Sequence, residues 1–371
     1  MAEKTHIALG YLALISGLLF YPFGVIFLWA QTDAIDSYIQ NEMRTRKIPG
    51  LALAVIKSSV AVKISGYGFA NLELDVRATP DTVFELASVT KQFTATAIMA
   101  LIEDGKIKVN DSITGYLPRS PEQWKAITIR HLLTHTAGLP GLQEGFKALR
   151  GDGGRLNLTT AQMFEAATKD SLSFPPGDQW QYSDVGYFLL GMIIEKAGGR
   201  KYGDFLTDRF FAPLSMTSTS ALDQWAILKN RAAGYTLRDH EVVNIRRVTQ
   251  VELASYGGVF SSVKDLVKWD NALATAKVVK PSSLEQMWTP VRLNSGGSYL
   301  YGFGWQLGEV RGHRMISHAG VTGTEYTRFP DDKLTVIVLT NLGARLSSTK
   351  VNAWGLTKGV AGRFIPDLLT E

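Results

Sequence analysis

The chain has 371 residues, with 39 Lys+Arg against 34 Asp+Glu, 45% hydrophobic and 20% charged residues, and no cysteine. The apolar fraction suits a packed core and excludes a disordered chain; the lack of cysteine excludes a disulfide scaffold, a thiolate zinc site, a cysteine hydrolase and thiol redox chemistry. The formal charge of +5 is scattered, and its densest runs, Arg44-Thr45-Arg46-Lys47 and Arg246-Arg247, carry no interleaved aromatics, so no nucleic-acid partner is expected.

Residues Ile7 to Ala30 form an uncharged run of 24, longer than the roughly 20 residues a helix needs to cross a bilayer. Pro22, Gly10, Gly17 and Gly24 within it are better tolerated in a membrane helix than in a soluble one. Lys4 precedes the run, and Asp33 and Asp36 follow it, which keeps the basic end inside and sends the rest of the chain outward. Residues 1–31 are therefore expected to be a membrane anchor or an export signal. Leu28-Trp29-Ala30 is a poor cleavage site because Leu28 is large, which favours the anchor and leaves the signal open. The expected location is the periplasmic or extracellular face of the membrane, with the N-terminal segment as the membrane contact.

Residues 32–371 are expected to form one domain. A short helix is predicted over Asp33 to Arg46. Leu51 to Ile56 reads as a buried strand and Val60 to Gly68 as an alternating one. From Ser88, residues Val89, Phe93, Ala97, Ala100 and Leu101 recur at helical spacing, and Gly105 ends the run. Further helices are predicted over Thr160 to Lys169, Val185 to Ala197, Tyr202 to Phe210 and Asp265 to Ala276. Strands return at Tyr301 to Leu307, His313 to His318, Thr324 to Phe329 and Leu334 to Thr340, the last two joined by a turn at Pro330-Asp331-Asp332. Ala353 to Leu369 is expected as a closing helix. The order strands, helices, strands points to an α+β fold. Its first and last strands share one antiparallel sheet, because isolated hairpins are marginal, and residues of about 105–250 form a mostly helical insertion. The glycine-rich stretch Gly151 to Gly154 lacks the strand-to-helix context and the Lys-Ser/Thr of a phosphate cradle, so it reads as a loop.

Chemistry is concentrated at Ser88-Val89-Thr90-Lys91. Residues three apart on a helix share a face, which sets the Lys91 amine beside the Ser88 hydroxyl. A serine needs a base to become nucleophilic, and a desolvated lysine can supply one. The pattern recurs at Ser261 to Lys264 and at Ser347 to Lys350, but only Ser88 opens a long helix whose next eleven residues, Gln92 to Ile102, carry no charge. In the second copy, Ser261 or Ser262 reads as a helix N-cap.

With Ser88-Val89-Thr90-Lys91 in first place, Tyr182-Ser183-Asp184 after Phe174-Pro175-Pro176-Gly177, and His318-Ala319-Gly320 at a strand end, the chain resembles the serine β-lactamase and penicillin-binding protein superfamily. It is most similar to the class C β-lactamase branch with its esterase and D-amino-acid peptidase relatives. His131 to Leu139 and Gly257-Gly258-Val259-Phe260-Ser261 add to the resemblance, which spans about Ile35 to Leu368. It implies a β-lactamase/DD-peptidase-like fold and a serine hydrolase acting on a small ester, amide or peptide. Ser88 would be acylated, Lys91 would activate it, and Tyr182 would act as general base or relay. The backbone N–H groups of Ser88 and Val321 would form the oxyanion hole, with His318 and Gly320 lining the site. No cofactor is implied. Taken alone, Tyr182 reads first as a core aromatic and His318 as an ordinary strand histidine; it is the company of Ser88, Lys91 and the intervening phrases that favours the catalytic roles.

Two positions depart from the pattern. Asp184 stands where the branch has asparagine, and a carboxylate only accepts hydrogen bonds; beside Lys91 it would keep the amine charged. His318 replaces the lysine of true β-lactamases. Both changes reduce positive charge near the acyl site, so esters, or peptides with a free amine, are expected to be preferred over carboxylate-bearing β-lactams. A non-catalytic binding relative and a membrane-tethered scaffold are the competing readings. His131 and His135, four apart, lack the glutamate of the helical zinc motif, so no metal is expected there.

Overall fold

The computed structural model describes residues 23–140, 156–221, 226–245, 249–343 and 353–369. Helix α1 (Phe23–Arg46) leads into β1 (Gly50–Lys57), β2 (Val60–Asn71) and β3 (Val76–Arg77). Helices α2 (Lys91–Glu103), α3 (Ile129–Leu133), α4 (Thr160–Lys169), α5 (Asp184–Gly198), α6 (Tyr202–Leu206), α7 (Val263–Ala274) and α8 (Pro281–Met287) follow. The chain then makes β4 (Gln306–Val310), β5 (His313–Gly320), β6 (Thr324–Phe329) and β7 (Leu334–Thr340), and closes with α9 (Ala353–Ala361). The main sheet has seven strands in the order β4-β5-β6-β7-β1-β2-β3, antiparallel throughout. The first and last strands thus share one sheet, joined where Leu53 of β1 faces Val338 of β7.

Strand β1 is apolar on both faces because both faces are covered. Side chains alternate along a strand. Ala52, Ala54 and Ile56 therefore enter the larger core with α2 and α5, while Leu51, Leu53 and Val55 enter a second core with α1 and α9. The larger core is filled from the helical side: every residue of α2 from Lys91 to Leu101 is buried. Ser262 caps α7, accepting from the Asp265 N–H at 3.3 Å.

Several elements differ from expectation. The predicted strand Tyr301 to Leu307 begins only at Gln306. Gly302 and Gly304 turn the chain inward instead, and a Cβ at Gly304 (φ +78°) would lie 2.6 Å from the Lys91 carbonyl oxygen. The closing helix stops at Ala361, and Pro366–Leu369 forms a separate 3₁₀ turn; at Gly362 a Cβ would strike Leu369, 2.3 Å away. The helix at Tyr202 passes into a π-turn at Thr207–Phe211. Residues 105–250 also hold strands, including the hairpin Tyr235–Arg238 with Glu241–Asn244 and the parallel pair Leu156–Leu158 with Thr249–Val251. The predicted anchor lies largely outside the described residues, as do the glycine-rich loop and the third Ser-x-x-Lys copy. Among the described residues no helix is long and apolar enough to cross a membrane.

Glu325 on β6 is buried on the same face as Val338. Burial pushes its carboxyl up to about 7, against the hydrogen bond from Thr327 that favours the anion. A carboxyl raised above its unfolded value of 4.5 stabilises the fold fully below pH 4.5, and that contribution is lost as pH rises through about 7. Glu325→Gln should therefore leave the thermal midpoint nearly unchanged at pH 4.5 and raise stability at pH 8.5 by about 3 kcal/mol. Equal shifts at both pH values would refute this account.

Candidate active site

Ser88 lies in a 3₁₀ turn, Ala87–Thr90, that runs directly into α2. The residue before it, Ala87, has φ +47°. A left-handed backbone costs an L-residue about 1–2 kcal/mol, and such strain persists only where surrounding contacts enforce it. Those contacts are present. The Leu86 N–H donates to the Val259 carbonyl at 2.9 Å, and the Val259 N–H donates to Thr90 Oγ1 at 3.0 Å. From the β5–β6 turn Thr322 donates to the Glu85 carbonyl at 2.8 Å, and at the start of β6 Thr324 donates to the Leu86 carbonyl at 2.9 Å.

Lys91 starts α2 and is fully buried. Its Nζ lies 3.4 Å from Ser88 Oγ, 2.6 Å from Asp184 Oδ1 and 2.7 Å from the Tyr256 carbonyl oxygen. It also sits 4.7 Å from the centre of the Tyr182 ring. Burial alone would lower the ammonium's pKa; Asp184 and Tyr182 outweigh it and hold the pKa above the ordinary value. The amine is therefore a cation at neutral pH, as the aspartate at position 184 led one to expect. The Tyr256 carbonyl is set by its neighbour Ser255, whose backbone oxygen accepts from Thr94 Oγ1 at 2.5 Å and whose hydroxyl donates to the Tyr187 carbonyl at 2.9 Å.

Tyr182 and Asp184 flank the N-cap of α5. Ser183 is that cap, its hydroxyl accepting from the Gly186 N–H at 3.3 Å. The cap geometry turns Asp184 toward Lys91 and places Tyr182 over the ammonium. Burial raises the pKa of the Tyr182 phenol, while Lys91 and a hydrogen bond with Ser88 pull it down; the net direction is up. Ser88, Lys91, Tyr182 and Asp184, drawn from two distant segments, thus converge on one cluster.

His318 on β5 is buried. Its Nδ1 is 2.9 Å from the Ala319 carbonyl and its Nε2 is 3.0 Å from the Tyr301 hydroxyl. Burial, then the nearby Lys91, push its pKa down to about 3. The imidazole is neutral, and the contacts assign the proton to Nδ1, with Nε2 accepting from Tyr301. Gly320, at the end of the same strand, lies against the Ser88 turn: a Cβ there would be 2.2 Å from Thr324 Oγ1 and 2.4 Å from the Leu86 carbonyl oxygen. Gly320→Ala is expected to drive the strand end from the Ser88 turn and lower kcat/KM at least tenfold in steady-state assays. Unchanged kinetics would show that this close approach is dispensable. Val321 follows in the turn, with its side chain exposed.

Three contributors were missed or left unplaced by the sequence reading: the Tyr256 carbonyl, the Tyr301 hydroxyl and His135. A backbone carbonyl leaves no mark on residue type. Tyr301 carried only a weak signal, as an aromatic beside the Gly302 and Gly304 bends. Of the two motif histidines, His131 belongs to a capping box, its Nδ1 accepting from the Thr128 N–H at 3.2 Å, while His135 is buried beside Tyr182. Glu252 stands apart from the site and accepts from the Thr160 N–H at the start of α4; Trp305 is core.

Comparison with known proteins places the chain among relatives of similar sequence and fold. The chain is 33% identical over 294 residues to penicillin-binding protein 4* of Bacillus subtilis, covering 74% of this chain and 64% of that protein. It is 27% identical over 320 residues to protein flp of Staphylococcus aureus, covering 84% and 63%. The chain therefore spans slightly under two thirds of the length of these relatives. Among solved structures, the octameric penicillin-binding protein homologue from Pyrococcus abyssi superposes with a TM-score of 0.75 at 26% identity, covering 89% of this chain and 77% of that one. The fold is also that of D-amino acid amidase from Ochrobactrum anthropi SV3 (TM-score 0.77, 24% identity, 91% and 99% covered). The hydrolase EstCE1 shares it as well (TM-score 0.78, 21% identity, 90% and 99% covered). The β-lactamase family model matches residues 35–359, most of the chain, and the chain that brings Ser88, Lys91 and Tyr182 together belongs to the β-lactamase family.

Proposed function

We propose that the protein is a serine hydrolase that forms an acyl-enzyme on Ser88 and acts on small esters, amides or peptides in preference to β-lactams. The observation that carries the reading is the placement of a fully buried ammonium 3.4 Å from Ser88 Oγ, under a tyrosine ring and paired to a carboxylate. Tyr182, ionising against its burial with the help of Lys91, takes the Ser88 hydroxyl proton as Oγ attacks the scissile carbonyl. The new C–O bond forms, the bond to the leaving group breaks, and Tyr182 returns the proton to the departing oxygen or nitrogen. Water then repeats the sequence on the acyl-enzyme and frees Ser88. The backbone N–H groups of Ser88 and Val321 are assigned to the developing oxyanion. Amidase and hydrolase neighbours support the breadth of substrate.

The preference against β-lactams follows from charge. A neutral His318 and an anionic Asp184 give a substrate carboxylate little to bind, whereas a substrate amine has a partner in Asp184. We also assign the active domain to the outer face of the membrane, on the uncharged run Ile7 to Ala30.

A chromogenic short-chain ester, a D-amino acid amide and a chromogenic cephalosporin, compared by kcat/KM with a phosphonate label mapped by peptide mass, test the reading. Labelling on Ser88 that vanishes in Ser88→Ala, with ester or amide turnover at least a hundredfold above the cephalosporin's, is expected. Rapid cephalosporin turnover with negligible ester turnover would overturn the preference. Because Asp184 holds Lys91 charged, a second reading is a binding relative with impaired turnover; labelling of Ser88 without turnover of any substrate would favour it. Absence of labelling in folded protein would end both.

A further inference from the structure

We propose that His135 is the positioning residue for Tyr182, gripping the chain on both sides of it; the inference rests on the acyl-enzyme reading, in which Tyr182 moves the proton. The carbonyl of His135 accepts from the Gln181 N–H at 2.9 Å. Its Nδ1 accepts from the Ser183 N–H at 3.1 Å. The two residues flanking Tyr182 are thus tied to a single residue, and the imidazole lies against the tyrosine between them, with ring centres 4.4 Å apart at 40°. The grip requires a backbone at φ +60°, a left-handed conformation that histidine adopts more readily than most residues.

Both the protonation state and the surroundings of the ring fit this task. His135 is buried, and burial, then Lys91 and His318, hold its pKa well below the ordinary value. A neutral ring is what allows Nδ1 to accept, and it places the proton on Nε2. Nε2 is buried with no hydrogen-bond partner among the described residues. An orphan buried donor costs about 1–3 kcal/mol, so a residue chosen for stability alone would be an apolar one. The same ring touches Tyr187 and Tyr301, with centres 5.0 and 4.7 Å away, and Tyr301 donates to His318. His135 thereby sets the spacing between the Tyr182 and His318 sides of the cleft. His131, four residues earlier, caps α3 and makes none of these contacts.

The test compares kcat and KM for the ester substrate, with thermal midpoints, in His135→Phe, His135→Asn and His131→Phe. Phenylalanine keeps a ring and loses the acceptor. Asparagine keeps an acceptor near the Nδ1 position and tolerates the left-handed backbone. His135→Phe is expected to lose at least a hundredfold in kcat with KM within threefold, and His135→Asn to recover to within tenfold of wild type. His131→Phe should lower the midpoint and leave kcat within threefold. A His135→Phe kcat within threefold of wild type, or a folded His135→Asn as slow as His135→Phe, would overturn the proposal. Nitrogen-15 NMR of the imidazole in the wild-type chain provides a second reading that needs no variant to fold. A bare Nδ1 with the proton on Nε2 between pH 6 and 8 supports the grip; a protonated Nδ1 overturns it. Failure of wild type to label or turn over would count against the hydrolase reading, and the NMR result would still decide the grip.

Discussion

Lys91→Met is expected to lower kcat/KM for an ester substrate by about 10³-fold or more, since general acid–base groups contribute about 10²–10⁴-fold. Two losses add in the same direction. The amine 3.4 Å from Ser88 Oγ disappears, and so does the cation that pulls the Tyr182 phenol down against burial. Tyr182 is then less able to ionise, and Ser88 keeps its proton. Because the two side chains act as one proton-handling unit, their losses are not additive. Lys91→Met combined with Tyr182→Phe should fall no more than about tenfold below the slower single variant. Steady-state kinetics of the three proteins, beside the rate of phosphonate labelling, checks this; a double variant slower by the product of the two single effects would show that the groups act independently. The structural cost should stay below the roughly 3–5 kcal/mol of a fully buried broken pair, because the Asp184 side chain is 30% exposed and water can reach it.

Asp184→Asn is expected to move the pH dependence of kcat/KM toward acid and to improve β-lactam turnover. The Asp184 charge raises the pKa of both Lys91 and Tyr182. Replacing it with a neutral amide lowers both, so the fraction of Tyr182 able to accept the Ser88 proton at pH 7 increases. A neighbouring full charge shifts a pKa by roughly 1–3 units, and the rising limb of the profile should move down by about one unit or more. Removing one negative charge also weakens repulsion of a substrate carboxylate, so cephalosporin kcat/KM should rise about tenfold or more relative to the ester. A profile that stays in place, measured from pH 5 to 10, would mean that Asp184 does not govern the proton balance. Some loss of thermal stability accompanies the change, since a fully buried ammonium loses its carboxylate.

The parts of this fold legible from sequence were those where one periodicity ran unbroken. Strand β1 was readable because an apolar run of strand length has few other uses, and α2 because eleven uncharged residues after Ser88-x-x-Lys91 require burial on every side. What escaped was decided by contacts between distant segments. The bend at Gly302 and Gly304 reads as strand until the Lys91 carbonyl is seen against it. Of the short strands within residues 105–250, Leu156–Leu158 pairs with the distant Thr249–Val251, and neither these nor the hairpin Tyr235–Arg238 with Glu241–Asn244 have enough residues to show alternation. At the site, Ser88 and Lys91 could be paired from helical spacing alone, and Asp184 could be matched to Lys91 once the motif order was recognised. The tie from His135 to the residues around Tyr182 runs through backbone N–H groups, which no residue type announces; His131 and His135 look alike in sequence for that reason.

The straps on the Ser88 turn have a consequence for biogenesis. They come from Thr322 and Thr324, and the sheet behind them closes only when β7 slots beside β1, nearly three hundred residues earlier in the chain. Such long-range pairing is slow to form. A polypeptide emerging from the ribosome therefore lacks these straps on the Ser88 turn until β7 has been made. Reactivity at Ser88 should appear late, as a report that the last strands have docked, and a chain ending before β7 should be inert toward an acylating probe.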